Sequence, residues 1–185
     1  MLIIKSIWMQ ARRHLVVNNL FSMDETKRKQ ISKPGHILAI PLMDGKKFMY
    51  LQCLESGEVI FDLVTDQMIT DLQFISRAKI LFYTAVYKNV ISSTQWPRIG
   101  KIDIKDNGKM PLMFAYDPLL KRLKYYQDGK FFGNPSAQDC YNLETVSVWD
   151  KNHIEERLEH YIRTGKDHPR DWDDYILKDW FKNNL

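Results

Sequence analysis

The sequence predicts one α+β domain, in which N- and C-terminal helices flank a mostly antiparallel β-sheet or a partly open barrel. The centre of the chain alternates short apolar runs with turn dipeptides, as strands and hairpins do. Both ends instead show helical spacing of apolar residues. At 185 residues and 44% hydrophobic content, with no Pro-, Gly- or Ser-rich linker, the chain suits a single core. We expect a helical extension at residues 1–32 and the α+β domain at residues 33–185.

The N-terminal segment is expected to form an amphipathic helix. Lys5 and the pair Arg12-Arg13 interrupt its apolar residues, so it resembles neither a signal peptide nor a membrane span. Packing of the apolar stripe on the protein's own domain is favoured, and a helix lying on a membrane surface is the alternative. The stripe consists of Ile3, Ile4, Ile7, Trp8, Ala11 and Leu15.

Strand and turn signals fill the next hundred residues. Pro41 limits the first strand, because proline cannot donate a backbone hydrogen bond. Asp44-Gly45 suits a hairpin turn, since both residues tolerate positive φ. The run at 78–86 is rich in β-favouring residues and is predicted to be a central strand. The other strands are expected at 37–40, 48–54, 59–64, within 96–104, and at 110–116, 124–126 and 130–132.

The C-terminal part is predicted to be helical. Asn152 can cap a helix, and Glu155 would complete a capping box with it. Gly165 lies where that helix would stop. A shorter closing helix is expected to pack on the sheet, with Trp172, Ile176 and Trp180 sharing one face. The apolar face of the first helix consists of Ile154, Leu158, Tyr161 and Ile162.

Charge is spread unevenly along the chain, which carries a net +4. Residues 1–36 hold seven Lys/Arg and two Asp/Glu, a net +5, whereas residues 150–185 hold seven and nine, a net −2. The basic segment suits either phosphate contacts or the solvated face of a helix, and the second is favoured because no nucleic-acid motif accompanies it.

No catalytic, phosphate-binding or metal-binding motif is present in the sequence. His153, Glu156 and His160 share a helical face but do not have metalloprotease spacing, so an exposed polar face is the favoured interpretation. Cys53 and Cys140 have no metal-ligand spacing and are expected to be free thiols of a reducing cytoplasm. The sequence therefore predicts a binding protein with no catalytic residue, metal or cofactor. An enzyme whose site is assembled from distant histidines is the rival interpretation.

Several motifs resemble those of the immunity protein 26 family. Residues 33–45, KPGHILAIPLMDG, are similar to the opening P-G-D…I-P-L-x-D-G pattern of the family, with His36 in place of the usual Asp. Residues 96–101, WPRIGK, are similar to its Trp-x-x-Ile-Gly-Lys element. Further similar segments occur in the family order at 59–62, 111–114 and 154–159, so the resemblance covers about residues 33–163.

The resemblance implies a cytoplasmic bacterial protein that is not an enzyme. It would bind and neutralise a cognate polymorphic or contact-dependent toxin, often a nuclease, with no small-molecule substrate and no membrane. If the toxin is basic, the acidic C-terminal third is the expected contact, with Trp172 as an anchor. Ordinary surface charge is the competing interpretation, and a nucleic-acid-binding protein using the basic N-terminal segment is the alternative function. The expected toxin-binding residues are Glu155, Glu156, Glu159, Asp167, Asp171, Trp172, Asp173 and Asp174.

Overall fold

The computed structural model describes residues 29–185 and shows a mixed α+β fold. The amphipathic helix predicted near the N-terminus lies outside these residues. Two separate sheets are present, and neither closes into a barrel within residues 29–185, so the predicted α+β class is confirmed. The boundary expected between residues 32 and 33 stays a prediction.

The larger sheet has six strands in the order β5-β1-β2-β3-β4-β9. All of its pairings are antiparallel except the short parallel pairing of β4 with β9. The predicted hairpin turn is present, with positive φ at Met43, Asp44 and Gly45. The strands are β1 (His36–Leu42), β2 (Lys47–Cys53), β3 (Glu58–Thr65), β4 (Ile80–Val86), β5 (Arg98–Lys101) and β9 (Val148–Trp149).

Both faces of the larger sheet are buried, which explains the unbroken apolar run of β1. Leu38 and Ile40 lie in one core cluster, whereas Ile37 and Ala39 lie in a second cluster on the opposite face. Pro41 is tolerated within β1 because β5 pairs only with the first half of that strand, leaving the Pro41 backbone free on that side.

The smaller sheet consists of three antiparallel strands, β6 (Met113–Asp117), β7 (Arg122–Gln127) and β8 (Lys130–Phe132). Phe114 and Leu123 of this sheet form a third core cluster with Leu177 and Phe181 from the C-terminal helix. The prediction that the end of the chain packs on a sheet is therefore confirmed, and the sheet is the smaller one.

Five α-helices are present in the described residues: α1 (Leu72–Ser76), α2 (Lys88–Ile91), α3 (Ala137–Cys140), α4 (Lys151–Thr164) and α5 (Tyr175–Asn184). Two 3₁₀ turns occur at Lys105–Gly108 and Pro169–Trp172. The predicted stop of α4 at Gly165 is confirmed by its left-handed φ of 66°. Within residues 29–185, no helix combines the length and apolar character needed to cross a bilayer.

Two predicted details of the helices are wrong. Asp150, rather than Asn152, caps α4, because its carboxylate accepts the backbone N–H of His153 at 3.0 Å. Trp172 lies in the 3₁₀ turn before α5, so it does not share a helical face with Ile176 and Trp180. The buried face of α5 instead carries Leu177 and Phe181.

Candidate functional site

Helix α4 lies against the larger sheet and positions the acidic C-terminal third. Ile154 and Leu158 are fully buried in the first core cluster. The indole N–H of Trp96 donates to Glu155 at 2.9 Å, and the backbone N–H of Met43 donates to Glu159 at 2.8 Å. These two glutamates, both expected to contact the toxin, thus fix the helix to the loop before β5 and to the turn after β1.

Arg157 forms a fully buried ion-pair network beneath α4. Its guanidinium donates to Glu144 at 2.6 and 3.1 Å and to Asp167 at 2.8 and 2.7 Å. The same group lies 3.7 Å from the ring centroid of Phe82 and 5.5 Å from that of Trp149. The network ties the segment after α3 and the segment after α4 to the helix itself.

Arg170 forms a second buried anchor, in the 3₁₀ turn after α4. It lies between the rings of Phe114 and Phe181, at 4.5 and 4.7 Å from their centroids. It donates to the carbonyl of Leu143 at 2.5 Å and approaches the Asp173 carboxylate to 2.9 Å, although the angle is not that of a hydrogen bond. Burial raises the pKa of Asp173 to about 6, and the nearby Arg170 and the Thr145 hydroxyl only partly offset this effect.

A groove of about 580 Å³ opens between the smaller sheet, the start of α4 and the start of α5. Its lining is mostly apolar: Ala115, Val146, Val148 and Ile176 contribute alongside aromatic rings. Val148 and Ile176 are 51% and 43% exposed. His153, Trp172, Asp173 and Asp174 also line it, so three of the predicted binding residues meet in one concave surface.

Three exposed carboxylates beside this groove have no ion-pair partner within residues 29–185. Asp174 lines the groove and also caps α5, accepting the backbone N–H of Leu177 at 2.8 Å. Asp171 precedes Trp172 in the 3₁₀ turn. Glu156 lies on α4 between His153, which lines the groove, and His160, whose ring contacts Trp172 at 5.7 Å. We call Glu156, Asp171 and Asp174 the acidic triad.

The eight predicted residues therefore divide into two groups. Glu156, Asp171 and Asp174 are exposed, and Trp172 lies half-buried among them. The interpretation of Asp167 and Asp173 as solvated or partner-facing charges needs correction. Their side chains are only 7% and 3% exposed, because each is paired with a buried arginine. Glu155 and Glu159 are half-buried and accept hydrogen bonds from Trp96 and Met43, which lie beside strands of the larger sheet.

The sequence interpretation missed Glu144, Arg157 and Arg170. One signal was available for Arg157, since it falls within the apolar stripe of α4, three residues after Ile154 and four before Tyr161. A charged residue at such a position needs a partner when it is buried. Nothing in the local sequence marks Glu144 as that partner.

The surroundings of both cysteines disfavour the reactive thiolate form. Cys53 and Cys140 are buried and free. Burial raises their pKa values to about 12 and about 11, so both are protonated thiols at neutral pH. His153 and His160 contact Trp149 and Trp172 through their rings. No group of three or more metal-ligating side chains is assembled within residues 29–185.

Comparison with known families gave one match. The family model described as immunity protein 26 matches residues 33–122, which include the Asp44-Gly45 hairpin turn of the opening motif and the Trp96–Lys101 element. The groove and α4 lie almost wholly beyond the matched residues, so the resemblance of residues 154–159 to a family helix stays a prediction. No curated protein and no solved structure matches the chain. The chain is therefore similar to the immunity protein 26 family over residues 33–122, just under half of its length.

Proposed function

We propose that the protein is a bacterial immunity protein that binds and neutralises a cognate toxin, with the acidic triad and Trp172 as the contact. The family match supports the general role. The observation that carries the choice of surface is the set of three carboxylates left unpaired beside a concave apolar groove. At protein interfaces, polar residues form a rim around a buried aromatic anchor. The three carboxylates and Trp172 have this arrangement.

The charge of this surface favours a basic partner, and a nuclease is the toxin class we propose. Proteins that hold nucleic acid carry Lys and Arg where the phosphates bind. An acidic surface on an inhibitor attracts such a partner and speeds association at low ionic strength. Neutralisation then follows from occupation of the toxin, without chemistry by the immunity protein. A cytoplasmic location, where the inhibitor would meet a toxin that has entered the cell, completes the proposal.

The buried carboxylates have a supporting role in this proposal. Asp167 and Asp173 hold Arg157 and Arg170, whereas Glu155 and Glu159 fix α4 to the loop before β5 and the turn after β1. Their loss would disturb the surface indirectly, by destabilising the elements that present it. The contact residues and the supporting residues are therefore distinguishable by whether a substitution alters folding.

Co-expression with the toxin encoded next to this gene tests the proposal. The wild-type protein should restore growth, and the triple variant Glu156→Gln, Asp171→Asn, Asp174→Asn should protect poorly while remaining folded. A control with the same charge change replaces three exposed carboxylates elsewhere: Asp44→Asn, Glu55→Gln, Asp128→Asn. Equal protection by the two variants would reject the acidic triad. Absence of any protection by the wild type would reject the immunity function, and salt-sensitive binding to generic DNA or RNA would favour the nucleic-acid alternative.

A further inference from the structure

The groove is lined by apolar side chains and also by part of the edge of strand β6. The backbone of Phe114 in β6 donates to the carbonyl of Glu144 at 3.1 Å and accepts from the N–H of Val146 at 2.8 Å. Tyr116 lies two residues further along β6, so its N–H and C=O point to the same side as those of Phe114. No described residue takes up these groups. Tyr116 also lines the groove, which therefore contains one strand-edge residue whose backbone groups have no partner among residues 29–185.

The apolar lining and the charges of the groove determine which kind of partner segment can bind along the edge of β6. Val148 and Ile176 expose half or nearly half of their side chains into it, so apolar side chains of a partner would be buried there. Glu144 and Asp173 are paired with Arg157 and Arg170, but the acidic triad has no ion-pair partner among residues 29–185. A partner segment with positive charge beside its apolar side chains complements both features.

We propose that this groove binds an extended segment of the toxin in which Lys or Arg alternates with apolar residues. The inference rests on the proposed immunity function and specifies the part of the partner that the site recognises. The segment pairs with the free edge of β6 at Tyr116, places apolar side chains against Val148 and Ile176, and directs its cationic side chains toward the acidic triad. Strand addition of this kind takes affinity from the backbone and specificity from alternate side chains.

A peptide experiment tests the groove without the toxin. The probe is a fluorescein-labelled octapeptide of alternating Lys and Leu, compared by fluorescence anisotropy with a Glu-Leu and a Lys-Ser octapeptide. We expect the Lys-Leu peptide to bind about tenfold more tightly than either. Ile176→Lys should weaken this binding about tenfold, because it removes an apolar contact and adds a like charge. Met68→Lys is the matched control, since Met68 and Ile176 are both 43% exposed.

Amide hydrogen exchange locates the bound peptide. Protection should appear at Tyr116 and around Val148 and should be absent from the Met68 region. Equal binding by the two lysine variants, or protection confined to other surfaces, would overturn the groove proposal.

Comparison of the wild type with Ile176→Lys distinguishes a failure of the groove proposal from a failure of the immunity function. If wild-type protein protects cells from the adjacent toxin and Ile176→Lys protects equally well, the immunity function stands and the groove proposal fails. If the wild type gives no protection but binds the Lys-Leu peptide at Tyr116, the groove recognises cationic segments and the immunity function fails.

Discussion

At the scale of single residues, Arg157 shows how a charged side chain can be part of the core. Its guanidinium is fully buried, yet two carboxylates satisfy it and two aromatic rings cover it. A buried pair of this kind adds little net stability compared with an apolar replacement of equal shape, but removal of one partner leaves the others charged and buried. Arg157 and its carboxylates therefore fix where three chain segments meet.

We predict that Arg157→Leu destabilises the protein by about 3–5 kcal/mol, because Glu144 and Asp167 lose their counter-ion in a buried site. The matched control is Arg163→Leu on the same helix, whose 3.5 Å ion pair with Glu159 is largely exposed and should contribute at most about 0.5 kcal/mol. Urea denaturation measures both changes. Equal losses for the two variants would contradict the assigned role of Arg157.

Glu58 makes stability depend on pH. Burial raises the pKa of Glu58 from 4.5 to about 7, although the backbone N–H of Val86 donates to its carboxylate at 2.8 Å. Between these two pKa values the folded protein binds the proton more tightly than the unfolded chain does. The stabilising contribution of the protonated form is therefore present below pH 4.5 and is lost as pH rises to about 7.

We predict that Glu58→Gln stabilises the protein at pH 8 by up to about 3 kcal/mol and has little effect at pH 4.5. Glutamine keeps an oxygen that can accept the Val86 N–H and carries no charge to bury. Urea denaturation at the two pH values checks the difference. A stabilisation of the same size at both values would show that charge burial is not its cause.

At the scale of elements, the sequence predicts most strands because their signals are local. The turn at Asp44-Gly45, the apolar runs of β1 to β3 and the stop of α4 at Gly165 each follow from residues that are adjacent in the chain. The residue that caps α4 is harder to predict from sequence, because Asp150 and Asn152 are both good capping residues. Only the path of the chain selects Asp150.

The Pro34-Gly35 turn illustrates how an element depends on a distant neighbour. Gly35 has a φ of 89°, and a Cβ added to it would lie 2.8 Å from the carbonyl oxygen of Ile102. Gly45 also has a positive φ, of 77°, but a Cβ there would contact nothing within 4 Å. The two turns of the opening motif therefore differ in their tolerance of a side chain.

We predict that Gly45→Ala costs about 1 kcal/mol, from backbone strain alone, and that Gly35→Ala costs about 1–3 kcal/mol more because the Ile102 backbone must shift. The shift of thermal midpoint in calorimetry gives the comparison, with each variant the control for the other. A smaller loss at Gly35 than at Gly45 would be inconsistent with the close approach to Ile102.

At the scale of the whole molecule, the segment that matches the family model precedes the C-terminal third, which carries most of the candidate surface. Residues 33–122 match the family model, and they supply five of the six strands of the larger sheet and β6 of the smaller one. Residues beyond the match supply α4, α5 and the acidic triad. Such a division is consistent with a shared scaffold that presents a partner-specific surface.

The candidate site was only partly predictable from sequence for the same reason. Composition identified the acidic third, in which Trp172 follows the exposed Asp171 and lines the groove, but the role of Trp172 as an anchor stays a prediction. Which carboxylates remain exposed depends on Arg157 and Arg170, whose partners come from segments before α4 and after it. Contacts between distant segments leave no fixed spacing in one sequence, so Asp167 and Asp173 could not be separated from Asp171 and Asp174.

The most direct test of the central claim is isothermal titration of the purified protein with the toxin domain encoded beside its gene. We expect a one-to-one complex with a Kd well below about 1 μM. The affinity should weaken with added salt and fall about a hundredfold in the acidic-triad variant, but change little in the Asp44, Glu55 and Asp128 control. The account would be contradicted if the folded pair failed to associate at micromolar concentration, or if both variants bound as tightly as the wild type.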